Sequence, residues 1–226
     1  MLRIGHRGAC GYAPENTLAS FKKALELSVD YVELDASLSR DGYLVVIHDD
    51  KVDRTTNGTG LVIEKTLKEL KQLDAGNGEK IPTLQEVLDL IDKKAKVNIE
   101  LKGEKTARAA AQIIEKYAQT KGWSYNDFLV SSFNHQELHA FKTLKPQVKI
   151  GALIVGIPLN YARFGKDLKA YAINISMEFI NKRFVDAAHT HGLKVLVFTV
   201  NDKDDIERMK NLKVDGIFSN FPDRIV

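Results

Sequence analysis

The chain has 226 residues, 44% hydrophobic and 28% charged, with 15 Gly and 5 Pro. This is enough to bury a large core, and it excludes a disordered or collagen-like chain. The 33 Lys and Arg against 30 Asp and Glu give a net charge of +3 without a basic face, so neither nucleic acid nor an anionic membrane is expected as a partner. A lone cysteine, Cys10, excludes an intrachain disulfide, and the longest apolar stretch, Ile150 to Leu159, falls short of the ~20 residues that span a bilayer. The expectation is a cytoplasmic protein without stable membrane insertion.

Short β-branched runs alternate with segments of helical period. Leu2–Gly5 reads as the first strand. Asn16–Leu27 follows as a helix, with Leu18, Phe21, Ala24 and Leu25 on one face. Tyr31–Asp35 is the second strand, and Tyr43–Ile47 can fold back onto it through the Asp41-Gly42 turn. From about Asp50 to Pro82 the rhythm breaks, with loop compositions at 55–60 and 75–78 flanking a short amphipathic segment, Leu67–Leu73. A helix at Thr83–Lys94 then opens on a capping box of Thr83 and Glu86. Later strands read as Val97–Leu101, Phe128–Ser131, Lys149–Leu153, Tyr171–Ile175, Lys194–Thr199 and Gly216–Phe218. Helices at Thr106–Thr120, Gln136–Leu144, Ile180–His191 and Asp204–Leu212 lie between most of them, and the Ile154–Lys169 connection is the least regular. Eight strands in βα alternation predict an α/β fold, a (β/α)8 TIM barrel in a single domain over 1–226, with a small insertion at about 50–82. A doubly wound open sheet is the competing arrangement.

Barrel enzymes build their sites at the carboxyl ends of strands. Those ends carry His6-Arg7-Gly8, Glu33 and Asp35, His48-Asp49, Glu100 and Lys102, Thr199-Val200-Asn201 and Ser219-Asn220. Glu33 and Asp35 are two apart, as are Glu100 and Lys102, so each pair points to one face of its strand. Three carboxylates in one mouth repel unless a cation offsets them, and all-oxygen ligation suits Mg2+ or Ca2+. Arg7 and Lys102 beside them, with two histidines, suggest a phosphate ester. The remaining histidines (His135, His139, His189 and His191) read as solvated helix residues, Cys10 as an incidental thiol, and Asp53-Arg54-Thr55-Thr56 as either a substrate lip or a salt-bridged loop.

His6-Arg7-Gly8, Pro14-Glu15-Asn16-Thr17, Glu33-Leu34-Asp35, His48-Asp49, 53–58, Asn98-Ile99-Glu100-Leu101-Lys102 and Thr199-Val200-Asn201 occur in the order found in the glycerophosphodiester phosphodiesterases, which the chain resembles over nearly its whole length. The resemblance implies a barrel with an insertion after the second strand. It implies Glu33, Asp35 and Glu100 as ligands of one divalent cation, and His6 and His48 as an acid–base pair. Arg7 and Lys102 would hold the phosphate, Glu15 would stand at the edge of the site, and Asn16 would cap the following helix. Phe198 stands where many family members have Trp, keeping an apolar wall without the indole hydrogen bond. The implied reaction is hydrolysis of glycerophosphodiesters, such as glycerophosphocholine or glycerophosphoethanolamine, to glycerol 3-phosphate and an alcohol.

Other readings stay open at this point. A phosphoinositide-type phospholipase also uses two histidines on a barrel. A lysophospholipase D would need an apolar rim, which Ile154–Phe164 could supply. An aldolase would need Lys102 unprotonated, which Glu100 opposes, and a noncatalytic binding module would have no use for the histidines and carboxylates together.

Overall fold

The computed structural model describes residues 1–225, and among these eight parallel strands close into a barrel. They are β1 (Leu2–Gly5), β2 (Tyr31–Leu38), β4 (Lys96–Leu101), β5 (Phe128–Ser132), β6 (Lys149–Ile154), β7 (Ala172–Ser176), β8 (Lys194–Phe198) and β9 (Gly216–Ser219). Closure comes from β1, which pairs in parallel with β2 at Ile4 and Tyr31 and with β9 from Leu2 to Gly5. The remaining strand, β3 (Leu44–Val46), runs antiparallel along the far half of β2, from Ala36 to Leu38. It gives β2 a partner beyond the barrel proper, which is why β2 extends past the predicted Asp35.

Helices α1 (Leu18–Glu26), α3 (Leu84–Ile91), α4 (Thr106–Thr120), α5 (His135–Leu144), α6 (Arg163–Asp167), α7 (Lys182–Thr190) and α8 (Lys203–Leu212) cover the barrel, and α2 (Leu67–Gln72) lies in the excursion after β3. The capping box at Thr83 forms as the sequence implies: the Thr83 hydroxyl accepts from Glu86 N, and Thr83 N donates to Glu86 Oε2 at 2.7 Å. The Ile154–Lys169 connection holds one short helix, α6, that its composition did not announce.

Alternation along the strands sorts the core into two layers. Leu34, Val97, Ile99 and Val130 face outward and pack with Phe21 of α1, Leu88 of α3 and Ile114 of α4. Inside, Ile4, Tyr31, Leu129, Ala172, Leu196 and Phe218 fill the barrel below the mouth. Residues 50–82 bury a satellite cluster of their own, with Val52, Val62, Leu70 and Ile81 against Val45 and Ile47. None of the described helices is long and apolar enough to cross a membrane.

Candidate active site

The carboxyl end of β1 turns sharply. Arg7 takes a left-handed backbone conformation (φ 51°) and Gly8 follows at φ 86°, where a Cβ would lie 2.3 Å from Ser20 Oγ. Non-glycine residues hold such angles at a cost that surrounding contacts must meet. Here Ser20 Oγ donates to Arg7 O at 2.7 Å, Asn16 N donates to the same oxygen at 3.1 Å, and Arg7 N donates to Glu33 Oε2 at 2.7 Å. The turn is thereby fixed to β2 and α1, and it delivers His6 and the Arg7 guanidinium to the mouth.

Glu33, Asp35 and Glu100 converge there, offering oxygens that all lie within 4.8 Å of one another. Glu33 and Asp35 are buried, and Asp35 stands beside Glu100 in the β2–β4 register. Burial, followed by the charges of Asp35 and Glu100, drives Glu33 well above the usual carboxylate range. Glu100 rises to about 7 for the same reasons, burial first and then Asp35, against the opposing pull of Lys102. Two cations offset part of this charge. Lys102 Nζ donates to Glu100 Oε1 at 2.8 Å and lies 3.8 Å from Asp35, while Arg7 Nε lies 3.4 Å from Asp35. The donor set is all oxygen, clustered and strained by like charge, and it fits a hard divalent cation.

Asn16 does not cap α1. Thr17 takes that place, accepting from Ser20 N, while Asn16, itself left-handed at φ 59°, donates from Nδ2 to Asp35 Oδ2 at 2.8 Å. The preference of Asn for this backbone region, together with its amide, makes it a support for a candidate metal ligand in place of a cap.

His6 and His48 line one cavity of about 180 Å³, together with Arg7, Glu33, Glu100 and Phe198. Their Nδ1 atoms have unlike partners. His6 Nδ1 lies 2.7 Å from Asn220 Oδ1, and Asn220 N in turn donates to Asn201 Oδ1 at 2.9 Å. Burial and then the Arg7 charge push His6 down to about 4. His48 Nδ1 lies 2.5 Å from Asp49 Oδ1, and hydrogen bonds from Arg54 and then His48 hold Asp49 well below the usual carboxylate range. Lys102 does not line this cavity, its ammonium being turned onto Glu100 and Asp35. Glu15 stands at the rim between Arg7 and Arg54. Burial opposes its ionisation, but the Arg54 bonds and the Arg7 charge bring it down to about 2.

The 53–56 segment is a salt-bridged loop in which Arg54 clamps Asp49 and Glu15. Burial pushes the Cys10 thiol up to about 12, so it stays protonated at neutral pH. His135 departs from the solvated reading, since its ring stacks on Phe164 at 5.3 Å and its Nε2 lies 2.9 Å from Leu153 O. Apolar walls come from Phe133, Leu153, Phe198 and Phe218, and Phe198 meets Phe133 edge-on at 5.9 Å. The sequence reading placed Asn220 at a strand end, Arg54 in a lip or salt-bridged loop and Asn16 as a helix cap, without giving the partner of any of them. Their roles depend on contacts that no spacing encodes.

The model of the glycerophosphoryl diester phosphodiesterase family matches residues 6–224. A glycerophosphodiester phosphodiesterase of Caldanaerobacter subterraneus subsp. tengcongensis is 40% identical over 235 residues, covering 100% of this chain and 96% of the relative. One from Bacillus altitudinis is 39% identical, covering 99% of this chain and 96% of the relative. An Oleispira antarctica phosphodiesterase, solved in complex with the product sn-glycerol-3-phosphate, superposes with a TM-score of 0.90 at 36% identity, covering 98% of this chain and 94% of that one. With the barrel and its mouth described, these matches identify the chain as a member of the glycerophosphoryl diester phosphodiesterase family.

Proposed function

We propose that the protein hydrolyses glycerophosphodiesters, such as glycerophosphocholine or glycerophosphoethanolamine, to sn-glycerol 3-phosphate and the free alcohol. The observation that carries this reading is that two histidines with unlike partners share one cavity with two of the three clustered carboxylates. Glu33, Asp35 and Glu100 would hold one divalent cation, Mg2+ or Ca2+. Such an ion, when bound, neutralises charge on a phosphate oxygen and acidifies an oxygen attached to it.

Arg7 presents a guanidinium to the phosphate, a geometry suited to two of its oxygens at once. Lys102 supplies positive charge through the carboxylates it contacts. With Asn220 Oδ1 accepting a hydrogen bond from Nδ1–H, His6 keeps a lone pair at Nε2 and removes the proton from the attacking oxygen. That oxygen is either water or the glycerol 2-hydroxyl, the latter forming a cyclic phosphate that water then opens to glycerol 3-phosphate. His48 gives its Nε2 proton to the departing alcohol oxygen as the P–O bond breaks. We assign donation to His48 because the Asp49 carboxylate stabilises the charge of an imidazolium, whereas the amide of Asn220 does not.

Replacing either histidine with alanine tests the two-histidine scheme. Release of glycerol 3-phosphate from glycerophosphocholine should fall by about 10²- to 10⁴-fold, with cation binding intact. Near-normal turnover by His48→Ala would contradict the two-histidine scheme. A lysophospholipid is the second reading. It is favoured by the exposed apolar side chains of Val155, Ile157 and Leu159 on the connection after β6, and release of choline from lysophosphatidylcholine distinguishes it.

A further inference from the structure

The cavity has a floor that the phosphate chemistry leaves unused. Asn98 of β4, Ser131 of β5 and Asn174 of β7 form it, all of them buried. Asn98 Nδ2 donates to Ser131 Oγ at 2.9 Å, but Asn98 Oδ1 has no protein partner, and neither does Nδ2 or Oδ1 of Asn174. Buried amide atoms seldom go without partners, and these line a cavity beside the candidate metal ligands.

On β6, between β5 and β7, the chain has Gly151. A Cβ at that position would lie 2.9 Å from Asn174 Oδ1 and 3.1 Å from Nδ2. The glycine therefore leaves room for the Asn174 amide at the cavity floor. Above the floor, Leu153, Phe133 and Phe198 supply apolar walls.

We propose that this recess is the subsite for the terminal hydroxyl of the substrate's glyceryl group, and that Asn174 is the residue that reads it. The proposal rests on the phosphodiester reading above. A hydroxyl both donates and accepts, and a neutral amide offers one group of each kind. A primary ammonium headgroup would satisfy only the acceptor and leave Asn174 Nδ2 unpaired, and a trimethylammonium, having no N–H, would satisfy neither. The phosphate is held at the mouth by Arg7, so the glyceryl carbon farthest from phosphorus reaches deepest. Its C–H faces meet the apolar walls on the way down.

The test is calorimetric binding of sn-glycerol 3-phosphate and of its 1-deoxy analogue, propane-1,2-diol 1-phosphate (2-hydroxypropyl phosphate), with Mg2+ present. The analogue keeps the 2-hydroxyl, so only the terminal group differs. Wild-type protein should prefer glycerol 3-phosphate by about 10- to 100-fold, and Asn174→Leu should bring the two ligands within about threefold. Gly151→Ala, whose Cβ would displace the amide, should reduce the preference in the same direction. If Asn174→Leu fails to fold, Asn174→Ala, which likewise offers no side-chain donor or acceptor, replaces it and should also narrow the ratio. Equal wild-type affinities, or an unchanged ratio in the Asn174 variant, would overturn the subsite. A preserved preference without turnover of glycerophosphocholine would support the subsite while counting against the proposed reaction, so the two can fail separately.

Discussion

Arg54 Nε donates to Asp49 Oδ2 at 2.7 Å, and its Nη2 reaches the other oxygen of the same carboxylate at 3.0 Å. The guanidinium also grips Glu15 with bonds of 2.7 and 2.9 Å. Asp49 is the partner of His48, and Glu15 Oε1 accepts from Arg7 Nη1 at 2.7 Å. One side chain of the excursion thus braces both the proposed proton donor and the proposed phosphate ligand.

Removing that brace should impair turnover more than folding. Arg54→Gln is expected to lower kcat by about 10- to 100-fold, the usual cost of losing an orienting partner, with cation affinity unchanged. Because Arg54 acts partly through Asp49, the double variant Arg54→Gln/Asp49→Asn should be clearly less impaired than the product of the single effects. Steady-state kinetics on the cycle checks this, and fully multiplicative losses would show that the two residues act independently.

The carboxylate cluster makes stability depend on pH in a direction that follows from the raised pKa of Glu100. The folded protein keeps a proton on this group that the unfolded chain has lost, between the ordinary 4.5 and about 7. Without metal, stability should therefore fall as pH rises through that window, by on the order of a few kcal/mol from Glu100, and Glu33, raised for the same reasons, adds a fall of the same sign. Added Mg2+ or Ca2+ needs the ionised carboxylates, so the rise in Tm that it produces should grow over the same interval. Glu100→Gln should make the metal-free profile shallower over this window, Glu33 still contributing, and should abolish the cation-induced shift. Thermal melts at pH 5, 6, 7 and 8, with and without the ion, measure both effects.

Asn16→Ala removes the amide that donates to Asp35 and places a residue ill-suited to φ 59°. Cation affinity should fall by about tenfold or more, and stability by about 1–2 kcal/mol from the lost bond and the backbone strain. A cation titration separates the first effect from the second. An unchanged affinity would mean that Asn16 serves the turn alone.

Thr83→Ala provides a contrast at a side chain that is bonded to Glu86 and does not line the cavity. Loss of the capping box of α3 should cost about 1 kcal/mol, which lowers Tm by about 2–4 °C in a chain of this size. Glycerophosphodiester turnover should be unaffected, as kinetics at a temperature well below the transition would show.

The barrel was legible because strand alternation and helical period are local patterns. The carboxylate cluster was legible for a related reason: Glu33 and Asp35 on one strand and Glu100 on the next are inward positions of period two. The supporting contacts were not. His6 meets Asn220 across 214 positions and Arg54 meets Glu15 across 39, distances over which sequence spacing carries no geometric information. Asn16 misled for a physical reason, since the same amide that suits an N-cap also suits a left-handed turn. It took the tertiary partner, Asp35. The Asn174 floor was hidden because a polar residue within an apolar strand discloses neither its orientation nor its lack of partners.

The most direct test of the account is release of sn-glycerol 3-phosphate from glycerophosphocholine by the wild-type protein, assayed with Mg2+, with Ca2+ and with excess chelator. The account predicts release with at least one of the two ions, its loss in chelator, and its recovery when the ion is restored. Release undiminished by chelator would contradict the role given to Glu33, Asp35 and Glu100, and no release with either ion would contradict the proposed substrate.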